Sequence, residues 1–454
     1  MESDREEMEK RRFKKKDLLD MVSTLEEANR LIGGKSGSDM PHFFDTLTQC
    51  QEAALAIGSH LETQCEAGQR IVSVLENYCE NVYQMSLVAD DRNRRDKIAK
   101  KIRKELLTVK NAIRYELPDD KKEVVFLPYK AAMWDSLESV WKKAAADERC
   151  EAYVVPIPYF DKNPDGSLGQ MHYDGNQYPD DVPVTSWQEY DMAARRPDVV
   201  FIHNPYDDWN YVTSVHPSFY AKELREYTDM LVYIPYFICI DDVVREEFCI
   251  SPGPIYADRV ILQSDAVRKK YIEYYHKWED SQGCRDVFGK AEEKFLALGS
   301  PKFDKVKSAK REDYVLPEEW RKLIEREDGS RRKVVLYNTT IGAMLQDTGK
   351  MLAKIRDVLE VFRGHREEVA LLWRPHPLLR ETLQSMRSQV VDVYDEIVVR
   401  YQEEAWGIYD NTADMYRAIT VSDAYYGDNS SVVELYKQTG KPIMIQNVDI
   451  LAEN

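Results

Sequence analysis

The chain has 454 residues, enough for two or three domains and too many for one ordinary core. Hydrophobic residues make up 43%, so the chain is not disordered as a whole, and 63 basic against 80 acidic residues leave a formal charge of −17, which argues against a general nucleic-acid binder. Seven scattered cysteines without a CxxC pair argue against a zinc site or a disulfide framework and for a reducing compartment. The charged N-terminus lacks the apolar core of a signal peptide, and the longest apolar stretch, 231–240, contains Pro235 and is about half of a membrane span. A cytoplasmic protein, at most peripheral at the inner face of a membrane, is expected.

In chain order, residues 1–117 are expected to be helical. They contain no β-rich run, and apolar residues recur at helical spacing, as at Ile98, Ile102 and Leu106. The loop 33–41 separates a first charged helix from a longer helical stretch, with Asp39 as a cap, and 117–120 closes the region. In 118–304, strands are expected at 123–128, 153–158, 198–203, 231–235, 259–263 and 295–299, with an amphipathic helix through Trp134, Leu137 and Trp141. After the charged stretch 305–332 the alternation restarts, giving 305–454 as a second unit with strands at 333–337, 369–373, 396–399, 424–426 and 442–445. Strands alternating with helices imply parallel sheets covered on both faces. The expected fold class is α/β, with two Rossmann-like, doubly wound lobes after a helical region and a ligand cleft at the C-terminal ends of the strands.

Four stretches carry candidate chemistry. At 425–434 a strand ends, a small polar loop follows, and a helix runs towards Gly440; Ser430 and Ser431 at its start suit a diphosphate, whereas the bland reading has Asp428 or Ser430 only capping the helix. Arg374 and His376, between prolines at a strand end, suit a phosphate or a leaving group, and Arg374 equally suits a scaffold carboxylate. Gly299 permits an unusual backbone angle at the lobe junction and Lys302 could face an anion, or the turn is an ordinary hinge. Thr339 and Thr340 lie at another strand-to-helix turn, to touch phosphate or to cap.

In this order, Gly299-Ser300-Pro301-Lys302-Phe303-Asp304, Asn338-Thr339-Thr340, Arg374-Pro375-His376-Pro377 and Asp428-Asn429-Ser430-Ser431-Val432 resemble the motifs of the CDP-glycerol glycerophosphotransferase family of teichoic-acid-type polymerases and primases. The resemblance spans about 120–450 and is clear from about 295 onward. It implies a GT-B fold, CDP-glycerol or a similar CDP-polyol as donor substrate with no cofactor or metal, and His376, Ser430 and Ser431 on the donor diphosphate. No Asp-x-Asp triad is present. Three positions depart from the family pattern: 232–237 lacks the family's Trp-His-Gly, Lys302 replaces an Arg, and Glu434 stands one place earlier than the usual Asp. The chain also ends just after its last strand, where a two-lobed transferase usually carries a further helix.

With no Trp-His-Gly, His203, Asp207, Asp208 and His216 near a first-lobe strand end are the substitute candidates for the base, each as readily a loop anchor. The expected acceptor is a polyol-phosphate or glycan hydroxyl, free or lipid-linked. Basic clusters at 10–16 and 92–104 read as solvated helix faces or as contacts to an anionic membrane surface, and the helices between them as a homo-oligomer or partner surface. Two rival functions stay open: a GT-B glycosyltransferase using a UDP- or GDP-sugar, and a non-catalytic scaffold of a polymer-synthesis complex.

Overall fold

The computed structural model describes residues 13–34, 42–62, 66–412 and 414–446. The expected cap Asp39, most of the loop 33–41, Cys65 and the first part of the basic cluster 10–16 lie outside them. The six described cysteines are free.

Four helices, α1 (Lys15–Gly34), α2 (Phe43–Glu62), α3 (Glu66–Leu87) and α4 (Arg92–Tyr115), form a closed bundle in which each packs on its two neighbours. The helical periodicity has a packing cause: Ile102, Leu106, Val109 and Ile113 of α4 are buried against Val22, Ile57 and Ile71. Among the described residues no helix is long and apolar enough to cross a membrane. The bundle meets the rest of the chain through Lys14, on Asp198 and Asp229, and Lys15, on the Leu117 carbonyl and Asp119. Asp198 and Asp229 immediately precede strands, so the bundle sits at the N-terminal ends of the first sheet.

That sheet contains β1 (Lys122–Leu127), β2 (Cys150–Val154), β5 (Val199–Ile202), β7 (Met230–Tyr233), β8 (Arg259–Leu262) and β9 (Phe295–Ala297), all parallel, in the order β2-β1-β5-β7-β8-β9. Both faces are covered: Val125 and Leu127 point into one cluster, Val124 and Phe126 into another. A separate antiparallel sheet, β3 (Tyr159–Lys162), β4 (Leu168–His172) and β6 (Thr213–Val215), grows from the C-terminal side of the lobe. The first helices of the lobe are a 3-10 turn at Ala131–Ser136 and α5 (Glu138–Ala145); α6 (Asp265–Gln282) follows β8.

The hinge helix α7 (Pro301–Ser308) leads to the second sheet: β10 (Lys333–Thr339), β11 (Val369–Pro375), β12 (Ile408–Tyr409), β13 (Ala424–Gly427) and β14 (Ile443–Ile445), parallel, in the order β12-β11-β10-β13-β14. Leu336 and Leu372 face one core cluster, Tyr337 and Trp373 the other. Helices α8 (Ile341–Gln346) and α9 (Thr348–Gly364) follow β10; α10 (Val391–Glu404), α11 (Met415–Val421) and α12 (Ser431–Lys437) follow in turn. The chain is thus α/β with two Rossmann-like lobes, the arrangement of a GT-B fold.

Two expectations need correction. The strand expected at 396–399 is part of α10, because Val391, Tyr394, Ile397 and Tyr401 are buried at helical spacing and the local β-branched triplet loses to that stripe. The antiparallel sheet was not anticipated, although Asn163-Pro164-Asp165-Gly166, with Gly166 at φ 84°, is a hairpin turn signal.

Candidate active site between the lobes

In the second sheet the chain winds from β10 outward to β12, then returns to place β13 on the other side of β10. The crevice at such a reversal, beyond the strands' C-terminal ends, is where open α/β sheets take ligands. Register fixes what stands there. Thr339 pairs with Pro375 and Asn338 with Gly427, so Thr340, His376 and Asp428 emerge side by side, at roughly the 4.8 Å spacing of neighbouring strands. The His376 N–H donates to the Thr339 carbonyl at 2.9 Å, and the Asp428 N–H to the Asn338 carbonyl at 3.2 Å.

Gly427 lets the loop approach so closely. It has φ 135°, and a Cβ there would lie 2.2 Å from the Asn338 carbonyl oxygen. Asp428 then turns inward. Its Oδ2 accepts from the Thr340 N–H at 2.8 Å and hydroxyl at 3.2 Å, and its Oδ1 pairs with Lys354 at 2.8 Å. Asn338 donates to the Tyr425 hydroxyl at 3.1 Å and to Ser430 Oγ at 3.3 Å, and the Tyr425 hydroxyl donates to the Asp428 carbonyl at 2.6 Å. Ser430 is the N-cap of α12 without capping through its own side chain, and Ser431 is exposed.

His376 is exposed at the mouth of the crevice. Its Nδ1 accepts from the Leu378 N–H at 3.2 Å, which leaves the proton of the neutral ring on Nε2. Partial burial, with the nearby Arg374 charge adding, holds its pKa below the usual histidine value. At neutral pH it presents an uncharged N–H donor.

Several expected donor contacts belong to the scaffold instead. Arg374 is buried, 2.6 Å from Asp410 and 2.7 Å from the Thr412 carbonyl. Thr339 is buried and accepts from the Trp373 indole at 3.2 Å. Asp428 is spent on Thr340 and Lys354, and a carboxylate offers a diphosphate no donor. Lys302 is 2.8 Å from both oxygens of Asp135, to which the Tyr416 hydroxyl also donates at 2.6 Å, so it ties the hinge to both lobes. Gly299 has the unusual backbone angle, φ 96°. Thr340 caps α8, its hydroxyl accepting from the Ala343 N–H at 3.2 Å while it donates to Asp428, which leaves His376, Ser430 and Ser431 at the crevice.

The first-lobe base candidates are engaged too. His203 seals that lobe's own reversal point, between β1 and β5: its Nε2 accepts from the Tyr129 N–H at 3.1 Å and its Nδ1 lies 2.8 Å from the Ser136 hydroxyl. Complete burial pushes its pKa down to about 3, so it is neutral with both nitrogens occupied. Asp207 is buried under the Ala221 N–H at 2.8 Å and is pushed up to about 8 by that burial. His216 caps a short turn through Ser218 and packs against Phe160, Trp187 and Phe219 in the antiparallel-sheet platform. Asp208 is exposed nearby.

A first-lobe residue that bridges to the loop and helix carrying Ser430 and Ser431 is Asp241. Asp241 and Asp242 both have left-handed backbone, φ 49° and 55°. Asp242 is held to the first lobe by Gln263 and Ser264, each at 2.9 Å. Asp241 spans to the second: its carboxylate accepts from Asn429 at 3.0 Å and Lys437 at 3.3 Å, and its N–H donates to Glu434 at 3.1 Å. Sequence reasoning missed Asp241, whose long-range contacts have no local signal. It also missed Lys354, which was legible: a lysine among Met351, Leu352, Ile355, Val358 and Leu359 breaks an otherwise buried stripe and calls for a buried anion.

Residues 270–452 match the family model of CDP-Glycerol:Poly(glycerophosphate) glycerophosphotransferase. This is the family whose motifs the sequence resembles, and the match takes in the hinge and the second lobe. The matched family is one of transferases. No curated protein matches the chain. Among solved structures, a UDP-N-acetylglucosamine 2-epimerase is similar at 11% identity and TM-score 0.41, over 73% of this chain and 81% of that one. The UDP-GlcNAc 2-epimerase from Neisseria meningitidis gives 12%, 0.38, 72% and 82%, and the catalytic domain of starch synthase IV from Arabidopsis thaliana 8%, 0.34, 72% and 83%.

Proposed function

We propose that the chain moves a glycerol-phosphate, or a related polyol-phosphate, from a CDP-activated donor to a hydroxyl acceptor and releases CMP. The observation that carries this reading is the convergence of His376, Ser430 and Ser431 at the reversal point of the lobe that matches the glycerophosphotransferase family. In this reading the CDP-polyol is a substrate, and neither cofactor nor metal takes part.

The acceptor oxygen attacks the donor's β-phosphorus in line. As that bond forms, the bond from the phosphorus to the bridging oxygen breaks, and CMP leaves with the electron pair. His376 Nε2–H and the serine hydroxyls donate to the oxygens that gain charge, which suits a transfer governed by position and charge stabilisation. The acceptor's proton passes to Asp241, the first-lobe carboxylate in contact with the donor loop. Asp428 and Lys354 hold the loops without touching the donor.

The partner of α4 in this reading is an anionic membrane surface. Arg92, Lys97, Lys100, Lys101, Arg103 and Lys104 are exposed on it, and each cation near such a surface contributes about 1 kcal/mol. Sedimentation with phosphatidylglycerol vesicles, compared with phosphatidylcholine vesicles, tests this; equal binding to both overturns it.

Titration with CDP-glycerol, CDP-ribitol, UDP-sugars and GDP-sugars, read as thermal stabilisation, tests the donor. A ligand at 100 times its Kd should stabilise the fold by roughly 2.7 kcal/mol. A response to CDP compounds that weakens in His376→Ala is expected; a response confined to uridine or guanosine sugars would overturn the reading.

A further inference from the structure

Ser430 opens α12 without doing what a serine in that place usually does. Its side chain caps no N–H of the helix, and the Val433 N–H donates to the Ser430 carbonyl instead, at 3.0 Å. The hydroxyl is engaged from behind: Asn338 Nδ2 donates to Ser430 Oγ at 3.3 Å and to the Tyr425 hydroxyl at 3.1 Å. Asn338 and Tyr425 are both buried, so water competes little for these bonds.

Each bond in this chain of groups can run only one way. The Asp428 carbonyl has no proton, so the Tyr425 hydroxyl, 2.6 Å from it, must donate. That spends the one proton of the phenol, which burial keeps in place by holding its pKa above the ordinary value. Towards Asn338 the Tyr425 oxygen can then only accept, so the amino end of the Asn338 amide faces it. The same amino group faces Ser430, whose Oγ accepts there and whose own proton is left for another partner. Within the scaffold the Tyr425 phenol also bonds to Ser430 and gives that proton a resting place. An anionic oxygen in the crevice is the stronger acceptor and draws it outward.

We propose that Asn338 and Tyr425 are positioning residues that make Ser430 a hydrogen-bond donor of fixed direction, aimed at an oxygen of the donor diphosphate. Neither touches the substrate; both act through Ser430. A serine left to rotate turns its proton away for part of the time, whereas here one lone pair is taken from behind and the donor is set before the ligand arrives. This rests on the transferase reading of the cleft.

The test is a double-mutant cycle on the whole chain, with the Kd for CDP-glycerol measured by calorimetry. Ser430→Ala should raise that Kd by about tenfold, the worth of one hydrogen bond to a charged group. Asn338→Leu should raise it by a comparable factor while Ser430 is present and leave it unchanged once Ser430→Ala has been made. An Asn338→Leu loss of the same size in both backgrounds overturns the proposal, since the residue would then act on the loop and not through the serine. Tyr425→Phe gives a second arm that keeps the ring's packing against Tyr436. It too should weaken binding only while Ser430 is present, and an equal loss without Ser430 counts against the proposal in the same way. Repeating the cycle with pyrophosphate separates the proposal from the reading it rests on. Coupling with pyrophosphate while no CDP compound binds leaves the Asn338–Ser430 relay standing and sinks the transferase reading. CDP-glycerol that binds without coupling does the reverse, and a wild type that binds neither probe overturns both.

Discussion

Lys354 Nζ lies 2.8 Å from Asp428 Oδ1, and neither side chain is open to solvent, so the loop that carries Ser430 and Ser431 is anchored by a charge pair inside the second lobe. Removing one partner of a buried pair leaves the other uncompensated and costs about 3–5 kcal/mol. Lys354→Met should lower the urea midpoint of the second lobe accordingly, and adding Asp428→Asn should recover much of the loss. Equal losses in the single and double variants would exclude the pair as the cause.

Gly427→Ala should abolish donor binding and lower the Tm. The new methyl meets the Asn338 carbonyl oxygen at 2.2 Å, and the backbone angle of 135° disfavours any side chain. A CDP-glycerol titration unchanged by the substitution would contradict this.

His376→Ala should cut kcat by about 10² to 10³, the usual effect of losing one donor aimed at developing charge. His376→Gln, which keeps an N–H, should recover part of it. Both should keep the wild-type Tm, since the exposed ring packs little. Wild-type turnover by the alanine variant would remove His376 from the mechanism.

Asp241→Asn should lower kcat by roughly 10² to 10⁴ if its carboxylate takes the acceptor proton. The amide still accepts from Asn429, so the lobes stay in contact, and CDP-glycerol binding measured by calorimetry should survive. Loss of binding with unchanged kcat would assign Asp241 to the donor instead.

Asp207 predicts a pH dependence of stability. Its folded pKa is raised to about 8 by burial, against an ordinary carboxyl near 3.9. Between those values the folded chain holds a proton that the unfolded chain has released. The stabilisation is therefore complete below about pH 4 and is lost as pH rises towards 8. Asp207→Asn keeps an oxygen for the Ala221 N–H and suits the left-handed backbone at φ 49°. Its gain in Tm should be larger at pH 8 than at pH 5; equal gains would contradict the assignment.

The parallel sheets were legible because residues such as those of β10 and β11 are apolar on both faces, and a run buried on two sides needs no partner to be recognised. Residues 396–399 were not, since the β-branched Ile397, Val398 and Val399 look extended until the stripe from Val391 to Tyr401 is counted. The strand-end positions of Thr340, His376 and Ser430 were legible from strand, turn and helix in succession. Which neighbours are spent on the scaffold was not: the partners of Arg374, Lys302 and Asp428 lie 36, 167 and 74 residues away, and only the fold brings them together.

The helical bundle rests on the edge of the first sheet where its strands begin, while the crevice opens where they end. A six-residue strand such as β1 is about 20 Å long, so bundle and crevice are separated by at least that distance. Whatever surface holds the bundle, the reacting groups then meet at arm's length from it. In the transferase reading proposed above, an acceptor fixed to the same surface as the bundle has to reach at least that far to meet Ser430.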